Sequence, residues 1–378
     1  MNWLLFSFTA LFFIILWYCN GLFSKIVASL QQDQSKSYNA VMGRYFLLKI
    51  ALIFISVALI ALMGYQFWSI QQEENAQYVS TRAFIKKAYD TTKIWQAPDL
   101  QFLDIEKNKD LILYGRQLIE NTSEYLGPKG IVRHMSNGMN CQNCHLDAGT
   151  KPFGNNYSAV LSTYPKFRAR SGTEETITKR INDCFQRSLN GDSLSIGSKE
   201  MKAITAYIHW LGQAVPKNKS PLGVGLYKIK PMKRAADPMK GQFAYAQKCM
   251  TCHGPTGQGL PKPENRIEYY PPLWGDRSYN EGAGLYRLSS FAGYVKANMP
   301  FGATAENPQL TDEEAWDLAA FVNTQPRPKH KFLKIDWPVI SKKPYDHPFG
   351  PFADTFPELQ HKYGPYQPIL DFQNSKTK

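Results

Sequence analysis

Negative charge is scarce in this chain. Only 31 aspartates and glutamates face 44 lysines and arginines, which leaves a net charge of +13. That sign selects anionic partners: nucleic acid, anionic lipid, an acidic protein or a small anion. Runs of basic residues are missing, however, and nothing resembles a nucleic-acid-binding module, so no nucleic-acid partner is expected. Cysteine is scarce as well, with six in 378 residues. Disorder is excluded by a 43% hydrophobic and 13% aromatic composition. The 24 prolines instead point to a globular protein with long irregular segments, of a length for two or three domains.

Four of the six cysteines lie in two C-x-x-C-H motifs, C-Q-N-C-H at 141–145 and C-M-T-C-H at 249–253. Neither motif has a second C-x-x-C to complete a zinc site. Both carry the adjacent histidine and therefore read as c-type haem attachment sites. Cys141 with Cys144, and Cys249 with Cys252, then hold two covalently bound haem c groups, with His145 and His253 as proximal iron ligands.

Charge is also absent from two apolar runs, Trp3 to Ser24 and Ile50 to Ile70. Each is long enough to cross a bilayer. The first lacks the positive leader and the small-residue cleavage site of a signal peptide, so it reads as a retained helix. Trp17, Tyr18, Tyr65 and Trp68 suit the headgroup zone. Lys25, Lys36, Arg44 and Lys49 lie between the runs, whereas Glu73 and Glu74 follow the second. The positive-inside rule makes 25–49 a cytoplasmic loop and places the rest of the chain in the periplasm of a bacterial inner membrane. Haem is attached to c-type cytochromes on that same side. Cys19 falls inside the first run and reads as an inert small hydrophobe.

The expected fold is mainly α: two transmembrane helices, two cytochrome c-like haem domains and a long irregular C-terminal extension. The boundaries read as a 1–70 membrane anchor and a 71–100 periplasmic linker. A first haem domain follows at 101–217, a second at 236–328, and an extended C-terminal belt at 329–378. The first domain opens on "DLILYGRQLIENTSEYL", with Leu111, Gly115, Leu118 and Ile119 on one face. It closes on "SKEMKAITAYIHWLGQ", where Met201, Ile204, Ile208 and Leu211 form an apolar stripe. The second opens with "GQFAYAQKCMTCHG" and closes with "TDEEAWDLAAFV", whose Thr311 and Glu314 form a capping box. The last 50 residues have no strong periodicity and read as a belt around the haem domains or as a partner-binding arm.

The sixth iron ligand decides what each haem can do. In "KANMPFG", Met299 precedes a proline between the second motif and the last helix, as a thioether ligand on a stiff loop does. The first domain has no Met-Pro, and Cys184 stands at the corresponding place. Met201 and His209 compete with it, but Met201 belongs to the apolar stripe and His209 reads as an ordinary helix histidine. Cys184 also reads as a buried free cysteine. Arg170, Arg180, Arg187 and Ser188 lie close to it in sequence; clustered cations stabilise a thiolate and bind a small dianion.

The stretches "CQNCHLDAGTKPFGNNYSAV", "YPKFRARSGTEETITKRINDCFQRSLNG", "AYIHWLGQ", "YVKANMPFG" and "DHPFGPFADTFPELQHKYGPYQPI" resemble dihaem thiosulfate dehydrogenases over roughly residues 105–370. The resemblance implies that Cys184, opposite His145, ligates an active-site haem, and that Met299, opposite His253, ligates an electron-exit haem. It also implies that Arg170 and Arg180, with Ser188, bind substrate. The implied reaction joins two thiosulfates into tetrathionate and releases two electrons to a cytochrome c or a membrane oxidase. Two departures stand out. The family is mostly soluble, whereas this chain carries an anchor that implies a lipid bilayer as partner. Some members have lysine where Asn298 stands, and here Lys296 lies three residues before Met299. A membrane-tethered enzyme, acting in either direction, competes with a second reading, a non-catalytic dihaem relay subunit of a respiratory complex such as a terminal oxidase. Cys184 and its arginines favour the enzyme, and the paired helices favour the relay.

Overall fold

The computed structural model describes residues 17–18, 20–25, 28, 37–87, 92–260, 270–331 and 333–376. The chain divides into two units, Met1–Ser80 and Thr81–Lys378.

The first unit is dominated by a helix, α1 (Ser37–Lys87), which no proline interrupts. Its stretch Met42–Ala76 is the one helix among the described residues long and apolar enough to cross a membrane. Apolar side chains point outward all round it: Leu47 is 67% exposed, Phe54 71% and Leu62 55%. A water-soluble helix hides such a face against a core, so this surface needs an apolar surrounding. The expected span at 50–70 lies inside a longer helix, and parts of the expected loop (37–49) and linker (71–87) are helical as well. The expected first span, 3–24, lies largely outside the described residues, as does Cys19. Its described end is helical at 20–25. There the Phe23 ring stacks on Tyr45 at 4.5 Å, and the Tyr45 hydroxyl donates to Asn20.

The second unit is mainly helical and holds two helix-rich cores. The first is built from α2 (Lys109–Glu120) and two elements nearer the cavity, the hairpin β1–β2 (Lys166–Arg168, Thr173–Glu175) and α3 (Ile177–Arg187). It closes with α4 (Lys199–Gly212). The second uses α5 (Pro238–Lys248), α6 (Leu288–Asn298) and α7 (Asp312–Thr324). Caps fall where the side chains dictate. Thr176 and Ser198 accept backbone N–H groups at the starts of α3 and α4, and Thr311 and Glu314 close the expected box on α7. The expected opening helix splits at Asn121. Thr122 bonds back to the Leu118 carbonyl at 2.7 Å, and its oxygen then receives the Cys141 N–H at 2.9 Å. The break thus docks the first haem motif on α2.

Both cores rest on one device, a helix crossing made close by glycine. A Cβ on Gly115 of α2 would collide with the Ala203 carbonyl of α4, and one on Gly241 of α5 with the Asp317 carbonyl of α7. The C-terminal segment adds α8 (Glu358–Tyr363) and α9 (Gln367–Ser375), so the expected belt is partly helical. Its Tyr366 and Ile369 are buried in the second core.

In an exposed helix, Gly→Ala gains up to about 1 kcal/mol. Here the clash reverses the sign: Gly115→Ala and Gly241→Ala are each expected to cost about 1–3 kcal/mol. Chemical denaturation followed by visible absorbance measures this; a stabilised variant would contradict the close crossing.

Candidate active site

Residues 141–145 form one tight turn, with the Cys144 and His145 N–H groups both donating to the Cys141 carbonyl. Asn140 braces the turn from below. Its side chain accepts the Ser123 N–H at 2.8 Å, and its own N–H donates to Asn143 at 2.7 Å. Cys141, Cys144 and His145 line one cavity that opens to solvent. Ile119, Tyr157, Ile181, Phe185, Ile204 and Ile208 supply much of its apolar wall.

The histidine is prepared as a metal ligand. Its Nδ1 lies 2.6 Å from the Asn155 carbonyl, which fixes the tautomer and leaves Nε2 as the free nitrogen. Tyr157 stacks on the ring at 4.5 Å. Burial, with a smaller contribution from the Arg180 charge, pushes the imidazole down to about 4, so it is neutral at physiological pH. Burial also pushes the Cys141 and Cys144 thiols up to about 12.

Helix α3 supplies the polar side of the cavity. Arg180, Cys184 and Ser188 stand one helical turn apart and share a face, and all three line the cavity that His145 lines. The Arg180 guanidinium is held above its ordinary range chiefly by the Cys184 sulfur, against the cost of burial. The competing ligands do not reach this space: Met201, 1% exposed, and His209 line a separate depression with Glu106, Lys202 and Thr205.

Arg170 is placed differently. It sits at the tip of the β1–β2 hairpin, outside the cavity lining, where its Nη1 donates to the Gly282 carbonyl at 3.1 Å. Burial and the charges of Arg187 and Arg180 push it down to about 9. The hairpin is pinned by Glu175, which is 2% exposed and takes hydrogen bonds from Ser171 at 2.6 Å and Lys179 at 3.0 Å.

In the second core, Cys249, Cys252 and His253 close α5. The His253 Nδ1 lies 3.0 Å from the Pro271 carbonyl, and burial lowers the imidazole. Met299 follows α6 and packs against the same core as Cys249. Asn298 is buried, donating to the Tyr294 and Phe153 carbonyls, and Lys296 is held by the Leu310 carbonyl at 2.6 Å and Asp312 at 2.8 Å. The Tyr294 hydroxyl donates to the Asn143 carbonyl inside the first motif at 2.7 Å. Helix α6 therefore ties the second core to the first C-x-x-C-H turn.

Residues 132–216 match the SoxA/TsdA cytochrome c domain family, and residues 238–326 match the cytochrome c family. A thiosulfate dehydrogenase of Allochromatium vinosum is 37% identical over 221 residues, covering 57% of this chain and 78% of that protein. The chain belongs to the thiosulfate dehydrogenase family. The enzyme of that name from Psychrobacter arcticus is also 37% identical, over 56% of this chain and 63% of its own length. Among solved structures, the thiosulfate dehydrogenase TsdBA of Marichromatium purpuratum superposes with a TM-score of 0.56 at 31% identity. That match covers 62% of this chain and 50% of the other. The chain thus spans less than two thirds of the Psychrobacter and Marichromatium proteins. Its two cytochrome c domains imply haem c binding. The cavity fits such a group, with its apolar walls, paired thiols and neutral imidazole.

Several site residues escaped sequence reasoning. Thr122, Asn140, Asn155 and Tyr157 act on the haem motif through backbone contacts and stacking, which leave no periodic signal. Asp336 and Trp337 reach the arginines from a segment read only as irregular.

Glu175 offers a pH test. Burial raises its pKa, but the Ser171 and Lys179 hydrogen bonds outweigh this and hold it below its ordinary value. A depressed carboxyl stabilises above its unfolded pKa, and that contribution is lost as pH falls through the folded value. Acid destabilisation below about pH 4.5 is therefore expected to shrink in Glu175→Gln, as measured by thermal melting across pH; an unchanged pH profile would remove this role.

Proposed function

We propose that this chain is a membrane-tethered dihaem enzyme that oxidises thiosulfate to tetrathionate, or runs the reverse reaction. One observation carries the reading: Arg180 and Cys184 of α3 and Ser188 at its C-cap line the cavity that Cys141, Cys144 and His145 also line. Each cysteine pair carries one haem c. His145 and Cys184 would ligate the first iron, and His253 and Met299 the second. The bound haems supply one-electron acceptance, and a thiolate ligand lowers the potential of the first where a thioether raises that of the second.

The side chains account for the rest. Two thiosulfate dianions repel each other, so cations must bring them together. Arg180 serves inside the cavity and Arg170 beside it, while the Ser188 hydroxyl donates to a sulfonate oxygen. The Cys184 thiolate, once off the metal, joins the terminal sulfur of one thiosulfate, giving Cys–S–S–SO3⁻, and the two electrons released would go one to each haem c. The second thiosulfate attacks the Cys184 sulfur–sulfur bond, tetrathionate leaves, and the thiolate is regenerated with no further electron change. Tyr294 ties α6, which leads into Met299, to the first C-x-x-C-H turn.

The apolar α1 supports anchoring in a membrane. Two spans, at 3–24 and 50–70, put the haem domains in the periplasm, where electrons pass to a cytochrome c or directly to a membrane oxidase. The bare helix surface also suits a relay subunit docked on such an oxidase, but a relay has no use for the cation–thiolate stripe.

Thiosulfate-dependent reduction of an external cytochrome c is expected in the unmutated protein. Cys184→Ala should abolish it and change the ferric spectrum; a protein with no turnover in either direction would be a relay. Arg180→Ala should lower kcat/KM about tenfold to a hundredfold, mostly through KM, with the spectrum intact. An altered spectrum would assign Arg180 to the haem instead.

A further inference from the structure

The belt crosses the first haem domain at residues 336–338, and the contacts there are unusually specific. Asp336 and Arg187 form a buried two-pronged pair at 2.7 and 2.8 Å. Arg187 is the last residue of α3, the helix that carries Arg180 and Cys184. The next belt residue, Trp337, donates its backbone N–H to the Arg170 carbonyl at 2.6 Å. Its ring lies 5.7 Å from the Arg170 guanidinium carbon, in cation–π range. Pro338 then lies where a Cβ on Gly172 would point, at the turn of the Arg170 hairpin.

Trp337 holds a φ of 62°. For a bulky residue this is an outlier, which persists only where the surroundings fix it. The polar inventory is equally one-sided. The Nε atoms of Arg170 and Arg187 and the Trp337 indole nitrogen are all buried without a protein hydrogen-bond partner. Buried donors of this kind call for an acceptor. Asp336 is engaged on both oxygens by Arg187, so Arg170 has no carboxylate of its own in ion-pair contact among the described residues.

We propose that Asp336 and Trp337 are positioning residues for the anion site, acting on a sulfonate-bearing substrate through Arg187 and Arg170. Asp336 neutralises Arg187 and fixes the end of α3. Trp337 braces Arg170 on one face and holds its backbone, leaving the guanidinium edge for a sulfur oxyanion beside the cavity. The C-terminal extension is thereby part of the substrate site. This deepens the reading of the chain as a thiosulfate-converting enzyme and rests on it.

The test is a mutant cycle on the full-length holoprotein, with thiosulfate and an external cytochrome c. Trp337→Ala is expected to raise KM about tenfold and to change kcat about twofold at most, with the ferric spectrum unaltered. Trp337→Phe, which keeps a ring face, should restore most of the KM. In an Arg170→Ala background, Trp337→Ala should add nothing, because its effect runs through Arg170. An unchanged KM in Trp337→Ala, or a full additional effect in the Arg170→Ala background, overturns the proposal while leaving the enzyme reading intact. An unmutated protein inert toward both thiosulfate and tetrathionate overturns both. Should Trp337→Ala prove too unstable to purify, Asp336→Asn takes its place, paired with Arg187→Ala. A raised KM that vanishes in the Arg187→Ala background supports the proposal, and an unchanged KM or a full additional effect overturns it.

Discussion

The site depends on a cation and a sulfur one turn apart on α3. Arg180 and Cys184 share a face because a helix repeats every 3.6 residues, and their mutual attraction raises the guanidinium despite burial. That pair fixes what the surroundings must do. The apolar wall strengthens the interaction by excluding water. Asn155 and Tyr157 orient His145 within the same cavity, and burial keeps the imidazole neutral. At the far end of α3, Asn280 of the second core donates to the Gln186 carbonyl at 2.8 Å, and the Asn280 N–H donates to that of Arg187 at 3.1 Å. A helix whose last carbonyls are met in this way does not fray, so the sulfur is held from both ends.

Much of this was legible in the sequence because the relevant signals are local. The C-x-x-C-H turns, the apolar stripe of α4 and the Thr311–Glu314 box each lie within a few residues. The stripe also accounts for Met201, whose side chain is buried in the first core. Arg180, Cys184 and Ser188 are readable as one face for the same reason.

What was not legible is non-local or depends on backbone. The Tyr294–Asn143 and Arg187–Asp336 contacts join positions about 150 residues apart, and no periodicity encodes such a pair. Arg170 was grouped with Arg180 by proximity in sequence, yet the hairpin carries it out of the cavity lining. The length of α1 was underestimated because apolar runs mark where lipid suits a helix and not where the helix stops. Beyond Ile70 the chain turns polar but meets no proline before Lys87. The irregular look of the last 50 residues concealed Tyr366 and Ile369, deeply buried side chains that tie the start of α9 into the second core.

The residues beside Met299 bear on how the outlet works. Asn298 commits both amide hydrogens to carbonyls, and the Lys296 ammonium is held by a carbonyl and a carboxylate. With methionine on the second iron as proposed, neither of these neighbours is free to take its place. The outlet would then keep one coordination state through oxidation and reduction, a fixed-voltage terminal rather than a rectifier, with the direction of flow left to the relative supply of electrons at either end.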